Sequence, residues 1–194
     1  MAMREVFQKE LAEVQERLVD LSESVTEIME KASMAFLNGD VKKADEAIAL
    51  AEVNEERALA IDEMAIRILS RQSPVARDLR VLVSALRISA SLERMGALAG
   101  HIATIARFRY PESAVPERLV KTFSEMGALD CALARKLTQL LRNTDVDLAR
   151  TIQAEDERVD ELHRSVFDLV LSDDWKENSI YTVDVTLASL SLIH

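Results

Sequence analysis

Seven arginines fall between Arg71 and Arg109 against only two acids, Asp78 and Glu93, in a chain whose overall net charge is −10. Arg80, Arg87, Arg94 and His101 recur every seven residues, a spacing that draws them into one ridge along a helix. Guanidinium groups in such a row suit an acidic protein surface; they also suit phosphate, although helical arginines alone specify no anion. With Arg77 and Glu93 they make the candidate partner-binding set. The bland alternative is internal: the ridge would pair with Glu52, Glu55, Glu56 and Asp62 of the preceding helix. Carboxylates offer a second chemistry. Glu93 lies among small residues, Ser89, Gly96, Ala97 and Gly100, where another helix can come close and a carboxylate needs a counter-charge. That counter-charge is an arginine or a metal ion. Glu52, Glu56, Asp156 and Asp160 are the other candidate metal ligands, since facing helices of a bundle build metal sites from paired inward carboxylates. Oxygen ligands without nearby histidine would admit several cations and discriminate poorly among them. A third constellation, Glu13, Glu16, Asp20, Glu23, Glu27 and Glu30, runs along one face of the first helix. It reads as a solvated face with Glu13–Arg17 and Glu27–Lys31 pairs, or as a docking strip for a basic partner.

Other chemistry has little support. A P-loop, a GxGxxG fingerprint, a CxxC pair and an HExxH are all absent. His101, His163 and His194 lie far apart, and only Asp160–His163 approximates the Glu-x-x-His element of di-iron bundles. The expectation is a protein that is not an enzyme. The single Cys131 cannot close an intrachain disulfide, which points to a reducing, cytoplasmic setting. The acidic balance argues against a nucleic-acid partner. No run approaches the roughly 18 apolar residues of a membrane span, and Arg4, Glu5, Lys9 and Glu10 interrupt any leader-like opening.

The elements that must position these residues are helices. Four glycines and three prolines in 194 residues are far too few for a many-turned β architecture. Apolar residues at three-four spacing predict helices over about 3–37, 40–70, up to 108, 116–142, a fifth from about 146, and a sixth containing Val183, Leu187 and Leu190. Ser73 reads as an N-cap with Pro74 at the first position of helix three, whose stripe runs Val81, Ala85, Ile88, Leu92, Met95, Ala99, Ile102 and Ala106. The proline-bearing stretch from Tyr110 to Pro116 separates two similar halves. Ile48 and Glu52 correspond to Ile152 and Asp156 at an offset of 104. The fold class is therefore all-α, two tandem antiparallel three-helix bundles over 1–110 and 116–194. The second is expected to be incomplete at its C-terminus, with helix six truncated and Val183, Leu187, Leu190 and Ile193 under-buried.

Pro74-Val75-Ala76-Arg77-Asp78-Leu79-Arg80, followed by Leu92-Glu93-Arg94-Met95-Gly96, resembles the signature of PhoU proteins, and the carboxylate-rich second helices, including Asp156, Val159, Asp160 and Leu162, match as well. The resemblance covers the chain from about residue 3 to its end and looks closest to actinobacterial members. It implies two pseudo-symmetric three-helix bundles and a non-enzymatic adaptor of phosphate homeostasis. Its implied partners are the ATPase of a phosphate ABC transporter and a membrane sensor histidine kinase, and its implied assembly is a homodimer. Some PhoU proteins hold iron or zinc on paired Glu/Asp-x-x-x-Asp motifs. Here Glu93 matches the first acid, Ala97 replaces the last, and the second copy would fall beyond His194. No cofactor is expected to be required, and any iron, zinc or other divalent cation is expected to bind weakly. A carboxylate-bridged metal-binding bundle is the alternative function.

Overall fold

The computed structural model of the chain describes residues 2–72 and 74–192. Six helices follow in order, α1 (Ala2–Asn38), α2 (Val41–Gln72), α3 (Ala76–Arg109), α4 (Glu117–Asn143), α5 (Val146–Val170) and α6 (Ser179–Ser191), with no strand among the described residues. The first three pack on one another in all combinations. In the second group α4 packs on α5 and α5 on α6, and the groups meet where α1 lies along α4 and α3 meets α6.

Burial follows the helical repeat. On α1, Val14, Leu18, Leu21, Val25 and Ile28 are all nearly inaccessible, as a three-four stripe facing one core requires. One core cluster joins that stripe to Ile61 and Ile68 of α2 and to Leu82 and Leu92 of α3. The other draws on all six helices, including Ile28, Ala47, Ile102, Phe123, Val159 and Val185. The two halves therefore share apolar packing instead of enclosing separate cores. Phe36 and Phe123 meet edge to face across the α1–α4 seam with ring centroids 5.3 Å apart, a contact worth about 0.5–1.5 kcal/mol beyond its area.

The repeat is plainest at the turns. Gly39 ends α1 at φ 65° and its N–H donates to the Ala35 carbonyl; Thr144 ends α4 at φ 52° and donates to Leu140. Each is followed by an aspartate that caps the next helix: Asp40 accepts from the Lys43 N–H, and Asp145 from Asp147 and Leu148. At these turns the offset is one residue longer than the 104 read from Ile48 and Ile152.

Helix three departs from expectation at its start. It begins at Ala76 behind Val75, so Pro74 precedes the helix; Ser73 lies outside the described residues. Its buried stripe runs through Leu82, Ala85, Ser89, Leu92 and Gly96, while Val81 is exposed. Helix six packs through Val185, Ala188 and Ser189, leaving Val183, Leu187 and Leu190 about half exposed. Ile193 lies outside the described residues.

Candidate functional site

The arginine ridge is on the surface. Arg77, Arg80, Arg87 and Arg94 are all exposed, His101 with them, and Glu93 is half-buried. None of the four arginines, nor Glu93, forms an ion pair with a described residue, so the alternative, internal pairing with Glu52, Glu55, Glu56 and Asp62 is not made. Farther along the same helix the situation differs. Arg109 pairs with Asp184 of α6 and lies 5.0 Å from the Tyr181 ring centre, and Arg107 reaches Asp45 at 3.5 Å. At one end of α3, Arg109 thus ties the halves together and Arg107 ties α3 to α2, while the arginines at the other end face solvent without an ion pair to a described residue.

The acidic strip of α1 shows the opposite. Glu13 pairs with Arg17 at 2.7 Å and Glu27 with Lys31 at 3.4 Å, as the sequence spacing implies. Glu23 pairs with Arg142 and Glu30 with Arg135, both on α4. Beside them the buried hydroxyls of Ser22 and Thr138 share a hydrogen bond of 2.8 Å. Two of the six acids, Glu23 and Glu30, therefore take part in a polar seam between the halves, while Glu13, Glu16, Asp20 and Glu27 are exposed. Lys31 also meets Glu46 of α2 at 2.6 Å, with Lys43 at 3.0 Å; these two ammonium groups hold the Glu46 carboxyl down at about 2.

The candidate metal ligands do not converge. Glu52 and Glu56 are exposed on α2, because the buried positions of that stretch fall to Asn54 and Ala58. Two residues from a buried position is about 200° of helix, so both carboxylates turn outward and are not the inward ligands expected. Glu93 sits on α3 with Ala97 one turn on. Asp156 is exposed and Asp160 half-buried on α5, where Arg164 approaches Asp160 at 3.8 Å. Among the described residues no three His, Cys, Asp or Glu side chains stand close enough to hold a metal ion. The donors present do not fit the iron or zinc of the resemblance.

Two polar residues that the sequence reading passed over are buried with unpartnered side-chain atoms. Asp130 of α4 is 6% exposed with Oδ2 unpartnered. Burial first, and then the charge of Asp156, pushes its carboxyl up to about 8. It faces a cavity of about 470 Å³ bounded by α1, α3, α4, α5 and the end of α6, with Ser33, Phe36, Ala99 and Cys131 in its walls. Burial likewise pushes the Cys131 thiol up to about 11. Asn54 is wholly inaccessible with neither amide atom partnered. Gly96 lies against it, for a Cβ there would stand 2.6 Å from Asn54 Nδ2. The signal for Asp130 was present in the sequence: it sits one turn from Met126 and from Ala134, in register with a core stripe.

Comparison with known proteins gives one consistent result. Residues 18–106 and 123–194 match the family model described as the PhoU domain. The chain is 37% identical over 187 residues to the phosphate-specific transport system accessory protein PhoU homolog 2 of Mycobacterium tuberculosis, covering 96% of this chain and 88% of that protein. It is 36% identical over 185 residues to the PhoU homolog 1 of Mycobacterium leprae, covering 95% and 83%. Among solved structures it superposes on PhoU from Pseudomonas aeruginosa with a TM-score of 0.89 at 23% identity, over 96% and 90% of the two chains. The phosphate transport system regulatory protein PhoU of Streptococcus pneumoniae gives 0.82 at 22% identity, over 96% and 88%.

Proposed function

The chain belongs to the PhoU family, and from that membership we propose that it is a non-enzymatic regulator of phosphate homeostasis. In this reading it restrains phosphate uptake and the phosphate-starvation response by docking to the ATPase of a phosphate ABC transporter and to a sensor histidine kinase. The mycobacterial relatives are named accessory proteins of a phosphate-specific transport system, which supports a role beside that transporter. No described helix is long and apolar enough to cross a membrane; in this reading the protein meets its membrane-bound partners from the cytoplasm.

The observation that carries the docking reading is the free arginine ridge. Arg80, Arg87 and Arg94 step about 10.5 Å along α3 at each interval of seven, exposed and without ion pairs to described residues. Exposed ion pairs contribute only about 0–1 kcal/mol to folding. Complementary charges do steer association and reject wrong partners. Reversing Arg87 and Arg94 to glutamate should therefore leave helicity and melting nearly unchanged while weakening binding to the purified ATPase and to the cytoplasmic part of the kinase. Parent binding should fall with added salt. Unchanged binding in the reversed protein would remove the ridge from this role.

The reading requires no cofactor. Affinity in oxygen-ligand sites follows the number of charged ligands, and Ala97 supplies none. Elemental analysis after dialysis should return well under one equivalent of iron, zinc or other divalent cation. Tight stoichiometric metal, lost on Glu93→Ala, would restore the metal-bundle alternative.

A further inference from the structure

On the side of the first three-helix group that lies away from α1, both helices repeat their chemistry every seven residues. The α2–α3 seam is fixed where the Ser89 hydroxyl donates to the Ala58 carbonyl at 3.3 Å and Gly96 abuts Asn54, so the two helices run antiparallel. At 100° per residue, moving outward from that seam round α3 meets Leu79 and Val83, then Arg94, Arg87 and Arg80. Moving outward round α2 meets Asp62 and Glu55, then Ile66 and Leu59, then Glu52 and Glu63. Leu59 is 61% exposed and Ile66 58%, and Leu79 and Val83 are exposed as well. None of these acids or arginines forms an ion pair with a described residue. Asp62 keeps a buried Oδ1 without a hydrogen bond. The face is an apolar track with an acidic bank on α2 and a basic bank on α3.

The interval of seven decides what kind of element fits. Arg80, Arg87 and Arg94 step about 10.5 Å apart, and so do Leu59 and Ile66, and Glu55 and Asp62. A second helix with a heptad repeat returns to the same face at that step and keeps register with every row. A strand does not, because its side chains change face at about every 3.3 Å. An anionic membrane or nucleic acid is repelled by a net charge of −10 and would meet the acids of α2 directly. A free phosphate is no better, because arginines about 10.5 Å apart do not converge on one anion. We propose that this face receives an amphipathic helix of a partner protein, about four turns long, the span from Arg80 to Arg94. Its apolar stripe lies over Leu59, Ile66, Leu79 and Val83, its acidic flank over the arginines of α3, and its basic flank over the acids of α2. The inference rests on the docking reading and adds to it the chemistry of the element that docks.

The probe is a synthetic peptide of three heptads, about 21 residues, with leucine at the two apolar positions of each, glutamate along one flank and lysine along the other. Dye-labelled and held at nanomolar concentration, below its own pairing, it should bind the parent with a Kd on the order of 10 µM by fluorescence anisotropy. Arg87→Glu with Arg94→Glu should weaken that binding at least about tenfold, and Leu59→Ser with Ile66→Ser by a similar factor. Circular dichroism should show the parent's helicity in both variants; if the serine variant loses it, Leu79→Ser with Val83→Ser puts the same question from α3. A peptide with glutamate on both flanks should bind at least about tenfold less well, because one flank then meets the acids of α2. No binding, whether the face is inert or covered by a second copy, overturns the inference, and so does binding indifferent to the serine substitutions. If the peptide fails while the ATPase and the kinase still respond to the arginine reversal, the helical occupant falls and the docking reading stands. If the peptide binds and neither protein responds, the docking reading falls alone.

Discussion

Asp130 is the residue whose surroundings most oppose its chemistry. An ionised carboxylate in a largely apolar wall, with one oxygen unpartnered, costs free energy that a neutral acid does not. The raised pKa turns that cost into a pH dependence. Below about pH 4 the carboxyl is protonated in both folded and unfolded chains. As the pH rises toward about 8 the unfolded chain ionises first, and the folded state loses stability relative to it. Urea unfolding should therefore show the parent falling between pH 5 and pH 8 relative to Asp130→Asn, which lacks the titration. Asp130→Leu should gain on the order of 2 kcal/mol at pH 8. Parallel pH profiles for parent and Asp130→Asn would show the carboxyl to be solvated.

At the scale of elements, the two matched turns differ in cost. Gly39 takes its left-handed conformation freely; Thr144 takes nearly the same one with a β-branched side chain, a strain of about 1–2 kcal/mol. Thr144→Gly should raise stability by roughly 1 kcal/mol. Gly39→Ala should lower it by a similar amount, through backbone conformation alone, since a Cβ there meets nothing within 4 Å. Denaturation midpoints of the two variants check both signs. These turns, and helices α1 to α5 between them, were legible in the sequence because Asn-Gly-Asp and Asn-Thr-Asp interrupt long three-four stripes. Helix α3 was legible only to within one residue, since Val81 and Leu82 are both apolar and spacing does not choose between them. The seaward turn of Glu52 and Glu56 was hidden by Asn54, a polar residue in a core position. The ridge itself was legible from its interval of seven. Its freedom from ion pairs was not, because pairing depends on which flank of α2 faces α3.

For the whole molecule, the shared core makes the strongest demand. Side chains of all six helices meet in one cluster, and Leu141 of α4 enters the other. Trp175, the one tryptophan, lies in the second half, where its indole N–H donates to Thr182 at 2.8 Å. Halves joined through common packing should unfold together. Trp175 fluorescence and far-ultraviolet circular dichroism should accordingly give coincident midpoints in urea. A Trp175 transition well separated from the helical one would show that the halves come apart independently. Cys131 adds a practical consequence. Its buried thiol, held protonated at neutral pH, is a poor nucleophile. A cysteine introduced at Arg80 or Arg87 would then take a maleimide label alone, with the native thiol left in place. The lone indole and a single acceptor dye on α3 would form an energy-transfer pair spanning both halves, a built-in ruler for watching one move against the other.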